Sequence, residues 1–170
     1  MSTYANKVVI VTGASRGIGA ATAKLAARDG YQVVVNYSAS RQAAETVVGN
    51  IEAAGGSAMA FPGAVAKEAD VLRLFAEVDK RFGRLDALVN NAGVISQSGR
   101  LESLAAEDLK RVFEVNTIGS FLCAREAVKR MSTARGGKGG AIVNFSSAAA
   151  TLAARASSST TPPPRAPSTP

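Results

Sequence analysis

A glycine-rich segment stands directly after the first apolar run of the chain. Residues 8–11 are Val-Val-Ile-Val, and residues 12–19 read Thr-Gly-Ala-Ser-Arg-Gly-Ile-Gly. Because Gly13, Gly17 and Gly19 lack a Cβ atom, the backbone there can turn tightly and approach a pyrophosphate closely. A helix that begins within such a loop offers free N–H groups to the anion. We therefore predict a phosphate-binding loop. The spacing is G-x-x-x-G-x-G, and the alternative is a glycine-rich turn without a ligand.

A second candidate segment follows the fourth apolar run. Residues 90–93 read Asn-Asn-Ala-Gly and come after the run 85–89. If that run is a parallel strand, the segment lies at its carboxyl end, where open α/β sheets bind ligands. Ala92 and Gly93 would let a flat ring approach the backbone, while Asn90 and Asn91 could fix the strand ends through hydrogen bonds to the main chain. Taken alone, the segment could equally be an ordinary turn.

The elements that must position these segments alternate along the chain. The apolar runs 8–11, 33–35, 58–61, 85–89 and 141–145 are continuous, as expected for strands that are covered on both faces. Helix-period stretches separate them, and the clearest apolar stripe is Val71, Leu72, Phe75, Val78 and Phe82. Glycines at 30, 55, 56 and 83 are predicted to stop the helices. Strands that alternate with helices predict an α/β fold with a Rossmann-like doubly wound parallel sheet.

Taken together, the two segments resemble the motifs of the short-chain dehydrogenase/reductase family. Residues 12–19 match its TGxxxGIG motif and residues 90–93 its NNAG motif. Asn116 matches its helix asparagine, and residues 142–147, Ile-Val-Asn-Phe-Ser-Ser, resemble the strand that ends in its catalytic serine. The resemblance implies an enzyme that transfers a hydride between a nicotinamide cofactor and an alcohol or carbonyl. It also implies that Ser147 orients and polarises the substrate oxygen and that Asn116 holds a water that relays protons.

These candidate catalytic residues, Asn116 and Ser147, each have a structural alternative. Ser147 could be a strand-end hydroxyl, and Asn116 could be a polar residue that stabilises a break in a helix. The family pattern favours the catalytic interpretation of both.

The cofactor preference is predicted from charge. NAD-binding folds carry Asp or Glu at the end of the second strand, where it binds the ribose 2′-hydroxyl. Residues 36–41 read Asn-Tyr-Ser-Ala-Ser-Arg and contain no acid, and Arg16 lies in the glycine loop. Arg16, Arg41 and Ser38 suit a 2′-phosphate, so the cofactor is predicted to be NADP rather than NAD. The candidate cofactor-binding residues are Thr12, Gly13, Ser15, Arg16, Gly17, Ile18, Gly19, Asn36, Ser38, Arg41, Val65, Asn91, Ala92 and Gly93.

Two departures from the family pattern matter. Ala64 and Val65 stand where the family usually has Asp-Val after the third strand, so the contact of that acid with the adenine amine is lost. The family's proton-donating tyrosine and the lysine four residues later are missing, because residues 151–170 contain neither Tyr nor Lys. The family's later strands, substrate loop and tetramer-interface helix are missing as well. We therefore predict a fold that is incomplete at its C-terminal side and a chain that is catalytically incomplete.

The composition changes near residue 150. This divides the chain into a predicted dinucleotide-binding domain, residues 1–150, and a Pro/Ser/Thr-rich tail, residues 151–170, which is predicted to be disordered. One hypothesis is that the tail is the catalytic segment read in a shifted frame. Codons that begin one base earlier turn Thr161 into a set that includes Tyr. If Arg165 is encoded AGG, the same shift turns it into a set that includes Lys, with the Y-x-x-x-K spacing. The other hypothesis is a natural tail on a truncated pseudoenzyme that binds a dinucleotide without catalysis.

The composition also excludes several functional classes. The 170 residues contain no histidine and one cysteine, Cys123. This excludes Ser-His-Asp and Cys-His catalysis, an internal disulfide and zinc sites of the usual N/S type, and we predict no metal site. No segment reaches the ~20 apolar residues of a membrane span. Because residues 1–7 contain no apolar signal region, we expect a cytoplasmic protein with no membrane partner.

The net charge of +7 raises the question of a nucleic-acid partner. Basic residues cluster around one acid, Glu126, without an aromatic residue; they are Arg125, Lys129, Arg130, Arg135 and Lys138. We interpret this cluster as a solvated helix end, where cations favour the helix dipole. We expect a small-molecule alcohol or carbonyl substrate and no nucleic acid. Full-length members of the family are usually homo-oligomeric, through a helix that this chain lacks.

Overall fold

The computed structural model describes residue 4 and residues 6–95 and 101–147. Its strands are β1 (Val8–Val11), β2 (Gln32–Tyr37), β3 (Ser57–Pro62), β4 (Ala87–Asn90) and β5 (Ala141–Asn144). Its α-helices are α1 (Gly17–Arg28), α2 (Arg41–Ala53), α3 (Glu68–Phe82), α4 (Ala106–Phe113) and α5 (Gly119–Met131). A π-helical turn, Glu114–Ile118, joins α4 to α5, and short 3₁₀ turns occupy Leu101–Ser103 and Thr133–Arg135.

The strands of the described region form one parallel sheet in the order β3-β2-β1-β4-β5. The chain moves outward from β1 to β3 and then crosses back to place β4 on the other side of β1. The carboxyl ends of β1, β2 and β4 therefore meet at the point where the strand order reverses, which is where sheets of this kind bind ligands. The predicted Rossmann-like doubly wound sheet is confirmed. The predicted tail lies outside the described residues.

The continuous apolar runs are explained by a core on both faces of the sheet. Val9 and Val11 pack with the small residues of α1 and with α2 on one face. Val8 and Ile10 pack on the opposite face with α3 and α5, where Phe75 is fully buried. Neighbouring residues of a strand point to opposite faces of the sheet. Because helices cover both faces, every position of β1 is buried. The sheet is therefore held between two helical layers, and its strand ends are fixed relative to one another.

Two details differ from the sequence predictions. The prediction that Leu72 belongs to the buried stripe of α3 is wrong, because Leu72 is 45% exposed while Leu74 is buried. Residues 71, 74, 75 and 78 have the three- and four-residue spacing of one helical face, and Leu72 lies about 100° away from Val71 around the helix axis. Strand β4 also begins at Ala87, two residues later than predicted. The helices end at Arg28, Ala53 and Phe82, just before the predicted stop glycines.

Strand β5 forms one edge of the described sheet. It pairs with β4 alone, and Val143 and Phe145 remain about half exposed. An edge strand presents unpaired backbone groups that another strand can bind. No helix within residues 6–95 and 101–147 is long and apolar enough to cross a membrane.

Candidate dinucleotide-binding site

The glycine loop connects β1 to α1 at the carboxyl edge of the sheet. Gly13 has a φ angle of +62°, and a Cβ atom there would lie 2.8 Å from the Cα of Ala92. The loop is therefore pressed against the segment that follows β4, as only glycine allows. Gly17 has a φ of +57°, and no atom of the described residues beyond its own chain neighbours and helix backbone lies within 4 Å of an added Cβ. Helix α1 begins at Gly17, so its free N–H groups adjoin this open space and can receive an anion.

Thr12 and Asn91 join this loop to the end of β4. The Thr12 hydroxyl accepts hydrogen bonds from the backbone N–H groups of Asn91 and Ala92, both at 3.0 Å, and donates to the Val89 carbonyl at 3.3 Å. In return, the Asn91 side-chain amide donates to the carbonyls of Thr12 at 2.8 Å and Gly13 at 3.2 Å. These reciprocal bonds hold the two predicted motifs in one fixed relation.

The end of β2 is organised by Asn36. Its side chain is buried, and its Nδ2 donates to the Gly63 carbonyl at 2.9 Å and the Phe61 carbonyl at 3.4 Å. Its backbone carbonyl accepts a hydrogen bond from the Ala14 N–H at 2.8 Å. Asn36 therefore positions the loops after β1 and β3, and its amide is already used.

The two predicted phosphate-binding arginines differ in their surroundings. Arg16 lines the cleft beside the glycine loop. Arg41 is not among the residues that line it, and its Nε donates to Oε1 of Glu45, one turn later on α2, at 2.7 Å. This hydrogen bond and the charge of Glu45 raise the pKa of Arg41. Of the three residues predicted to bind a 2′-phosphate, Arg16 and Ser38 therefore line the cleft.

The loop after β3 is held by Asp70, from the first turn of α3. Its Oδ2 accepts a hydrogen bond from the Ala64 N–H at 3.0 Å, and its Oδ1 pairs with Arg73 at 2.7 Å. These bonds, chiefly the one from the Ala64 backbone, lower the pKa of Asp70. Val65 is buried against the start of α5, where a Cβ on Gly119 would lie 2.7 Å from its Cγ2. The loop and α5 are therefore in direct contact.

Asn116 lies in the π-helical turn between α4 and α5. Its Oδ1 accepts from the Val94 N–H and its Nδ2 donates to the Val94 carbonyl, both at 2.8 Å. Both side-chain atoms therefore position the segment after β4. Such π turns are frequent at functional sites, because they re-aim one turn of a helix.

Ser147 lies three residues after the end of β5, which is the strand beside β4 in the sheet. Asn90 of β4 and Asn144 of β5 are register partners, and their side chains bond at 2.9 Å. The same Asn90 amide donates to the Ser120 carbonyl of α5 at 3.1 Å. These bonds bring the carboxyl end of β5 beside the motif at residues 90–93.

These loops enclose a cleft of about 460 Å³. The predicted residues that line it are Gly13, Ser15, Arg16, Asn36, Ser38, Val65, Asn91, Ala92 and Gly93. The predicted residues that do not line it are Thr12, Gly17, Ile18, Gly19, Arg41, Asn116 and Ser147. Sequence reasoning missed Arg111 of α4 and Val115 of the π turn, which also line it. Their four-residue spacing marks one helix face, but nothing in the sequence shows that this face meets the cleft.

The charge of the cleft suits a polyanion. Among the described residues, its lining contains Arg16 and Arg111 and no carboxylate. Together with the free N–H groups of α1 and the open space beside Gly17, this lining fits the phosphates of a dinucleotide. No group of three His, Cys, Asp or Glu side chains that could bind a metal ion is found in the described residues. Burial raises the pKa of the Cys123 thiol to about 12, which leaves it unreactive.

The basic cluster of α5 is largely neutralised by α3. Arg130 pairs with Asp79 at 2.6 Å and with Glu126 at 3.1 Å, and Arg125 pairs with Glu68 at 2.6 Å. Burial alone would raise the pKa of Glu126, but hydrogen bonds from Lys129, Arg130 and Arg125 outweigh it and lower that pKa. The cluster is therefore more than the solvated helix end predicted from sequence, because its ion pairs bind two helices together.

Comparisons with known proteins agree with this architecture. The family model described as short chain dehydrogenase matches residues 7–159. The chain is 48% identical over 139 residues to an uncharacterized oxidoreductase, YgfF, of Escherichia coli, covering 82% of this chain and 56% of that protein. It is 47% identical over 125 residues to versicolorin reductase 1 of Aspergillus parasiticus, covering 74% of this chain and 47% of that protein.

A solved structure of similar fold is that of a double mutant of a Serratia marcescens short-chain dehydrogenase/reductase. The two superpose with a TM-score of 0.79 and 38% sequence identity, covering 86% of this chain and 57% of that one. The chain spans about half the length of the curated relatives it matches. With the sheet order, the glycine loop and the cleft, these matches establish that the chain belongs to the short-chain dehydrogenase family.

Proposed function

We propose that the protein to which this chain belongs is an NADP-dependent oxidoreductase acting on a small-molecule alcohol or carbonyl. Membership of the family implies a nicotinamide cofactor, NAD or NADP. The observation that carries the NADP preference is the lining of the cleft, to which Arg16 and Ser38 both contribute and which contains no carboxylate among the described residues. The bound nicotinamide would supply or accept the hydride.

The residues that would hold the dinucleotide follow from the geometry. The N-terminus of α1 and the loop at Gly13 would bind the pyrophosphate. Arg16 and Ser38 would bind the 2′-phosphate, because a guanidinium and a hydroxyl both donate to phosphate oxygens. Arg41 contributes less than the sequence predicted, because Glu45 already accepts its hydrogen bond.

Ser147 and Asn116 are proposed to act at the reacting end of the cleft. The pairing of Asn90 with Asn144 supports this role for Ser147, since it brings the end of β5 beside residues 90–93. Asn116 supports the site by fixing Val94 through two hydrogen bonds. Its proposed part in holding a proton-relaying water rests on the family pattern.

We also propose that the 170-residue chain itself does not turn over substrate. Residues 151–170 contain neither Tyr nor Lys to supply the proton donor of the family. Loss of a general acid typically costs about 10²–10⁴ in rate. A non-catalytic dinucleotide-binding protein is the alternative function, and it is favoured by the intact cleft together with these missing side chains. The homo-oligomeric state and the cytoplasmic location stay predictions.

Binding and turnover separate these functions. Calorimetric titration of the purified chain with NADPH and NADH is expected to show tighter binding of NADPH. Arg16→Gln is expected to reduce that preference, because removal of a charge-assisted bond to phosphate costs about 1.5–3 kcal/mol. Arg135→Gln, on an exposed residue of the loop before β5, is the matched control. Tighter binding of NADH would contradict the proposal, and normal NADPH oxidation with carbonyl substrates would contradict the claim of inactivity.

The tail hypothesis has its own test. If the coding DNA downstream of residue 150 spells Tyr and Lys in the shifted frame, the tail is a misread catalytic segment. If it does not, the frameshift hypothesis is wrong.

A further inference from the structure

The position of the purine in the cleft follows from the positions of the phosphate and ribose sites. The pyrophosphate site is the N-terminus of α1, and the ribose site is the end of β2. Beyond the end of β2, the cleft is lined by Ala64, Val65 and Ala66 from the loop after β3 and by Val115 from the π turn. These small and apolar side chains form a slot whose walls suit the two faces of a flat base.

Arg111 is the charged residue at this slot. It lies four residues before Val115 on the same side of the helix, and both line the cleft. Four residues after Val115, Gly119 lies against Val65, so the start of α5 contacts the loop after β3. Arg111 therefore lies one helical turn from Val115, beside the part of the cleft that we assign to the base. Within the described residues it forms no ion pair or side-chain hydrogen bond, and the neighbouring Ala64 offers no carboxylate.

We infer that Arg111 is a specificity-determining residue that reads the outer edge of the purine. This inference rests on the proposed dinucleotide-binding function. A guanidinium only donates hydrogen bonds, and it binds a purine best where O6 and N7 are both acceptors. Adenine presents an amino donor at position 6, whereas hypoxanthine presents O6. The slot is therefore built to accept a 6-oxopurine dinucleotide at least as well as the adenine dinucleotide.

The test compares two dinucleotides by binding rather than by turnover. Calorimetric titration of the 170-residue chain with NADPH and with its hypoxanthine analogue is expected to give equal affinity or tighter binding of the analogue. Arg111→Met keeps the length of the side chain and its helix propensity but removes the donors. We expect it to weaken binding of the analogue about 10-fold more than binding of NADPH, which corresponds to one charge-assisted hydrogen bond. Arg135→Met, outside the cleft, is the matched control and should change neither affinity.

A second variant leaves Arg111 in place. Ala64→Asp adds a carboxylate to the slot that can accept a bond from an adenine amine and pair with the guanidinium, so it is expected to shift the preference toward NADPH. Equal weakening of both dinucleotides by Arg111→Met would overturn the inference, since the guanidinium would then act through charge or stacking alone. Strong wild-type preference for NADPH would also overturn it while leaving the proposed function intact. Failure of both dinucleotides to bind would overturn the proposed function as well.

Discussion

Replacement of Thr12 by Val removes the hydroxyl that joins the two motifs and leaves the shape of the side chain almost unchanged. Thr12 is 1% exposed, and its Oγ1 accepts from the N–H groups of Asn91 and Ala92 at 3.0 Å each. Neither N–H has a second acceptor among the described residues. A buried donor without a partner costs about 1–3 kcal/mol, so the loss of both bonds in Thr12→Val is expected to lower the free energy of unfolding by about 2–6 kcal/mol. The Val89 carbonyl adds little, because it keeps the Thr12 N–H as a donor at 3.0 Å.

The measurement is urea denaturation monitored by circular dichroism. The unfolding free energies are compared between variants whose dependence on urea concentration, the m-value, is the same. Thr12→Ser is the matched control, because it keeps the hydroxyl and loses one methyl group, at a cost of about 1 kcal/mol. If Thr12→Val is as stable as Thr12→Ser, the hydroxyl does not hold the two loops together and the reasoning is wrong. NADPH titration of both variants provides a second measurement, in which Thr12→Val should bind more weakly.

Other contacts of the loops and helices lead to three more predictions. Gly13→Ala is expected to destabilise the fold and abolish NADPH binding, because its Cβ would lie 2.8 Å from the Cα of Ala92 at a positive φ; unchanged calorimetric titration would contradict this. The pKa of Asp70 is lowered by folding, so its stabilisation is present above the unfolded pKa of about 3.9 and is lost as pH falls through the folded pKa. Unfolding free energies measured from pH 6 to 3 should therefore fall less steeply in Asp70→Asn than in the wild type. Glu126→Gln leaves Arg130 without one of its two carboxylate partners and should cost about 3 kcal/mol in urea denaturation, whereas Glu52→Gln, on an exposed residue, should cost almost nothing.

The order of strands and helices along the chain, and the two motifs that contribute residues to the cleft, could be predicted from local sequence. A continuous apolar run such as residues 8–11 predicts a strand that is buried on both faces, and a glycine loop after it predicts a phosphate site. Even the pairing of Arg41 with Glu45 has a local signal, since residues four apart are neighbours on a helix. Each of these signals involves residues that are close together in the chain, so the interaction that causes it can be recognised from the sequence alone.

What only the tertiary structure decided is which side chains remain available to a ligand. Asn36 has the right position for the ribose, yet its amide is used by the carbonyls of Phe61 and Gly63, 25 and 27 residues away in sequence. Arg130 belongs to a basic cluster, yet Asp79 of another helix neutralises it. Arg111 and Val115 line the cleft, and Gly119 further along the same helical segment lies against Val65 of the loop after β3. A helix's rotation about its own axis depends on packing against residues distant in the chain, and local sequence pattern does not contain that information.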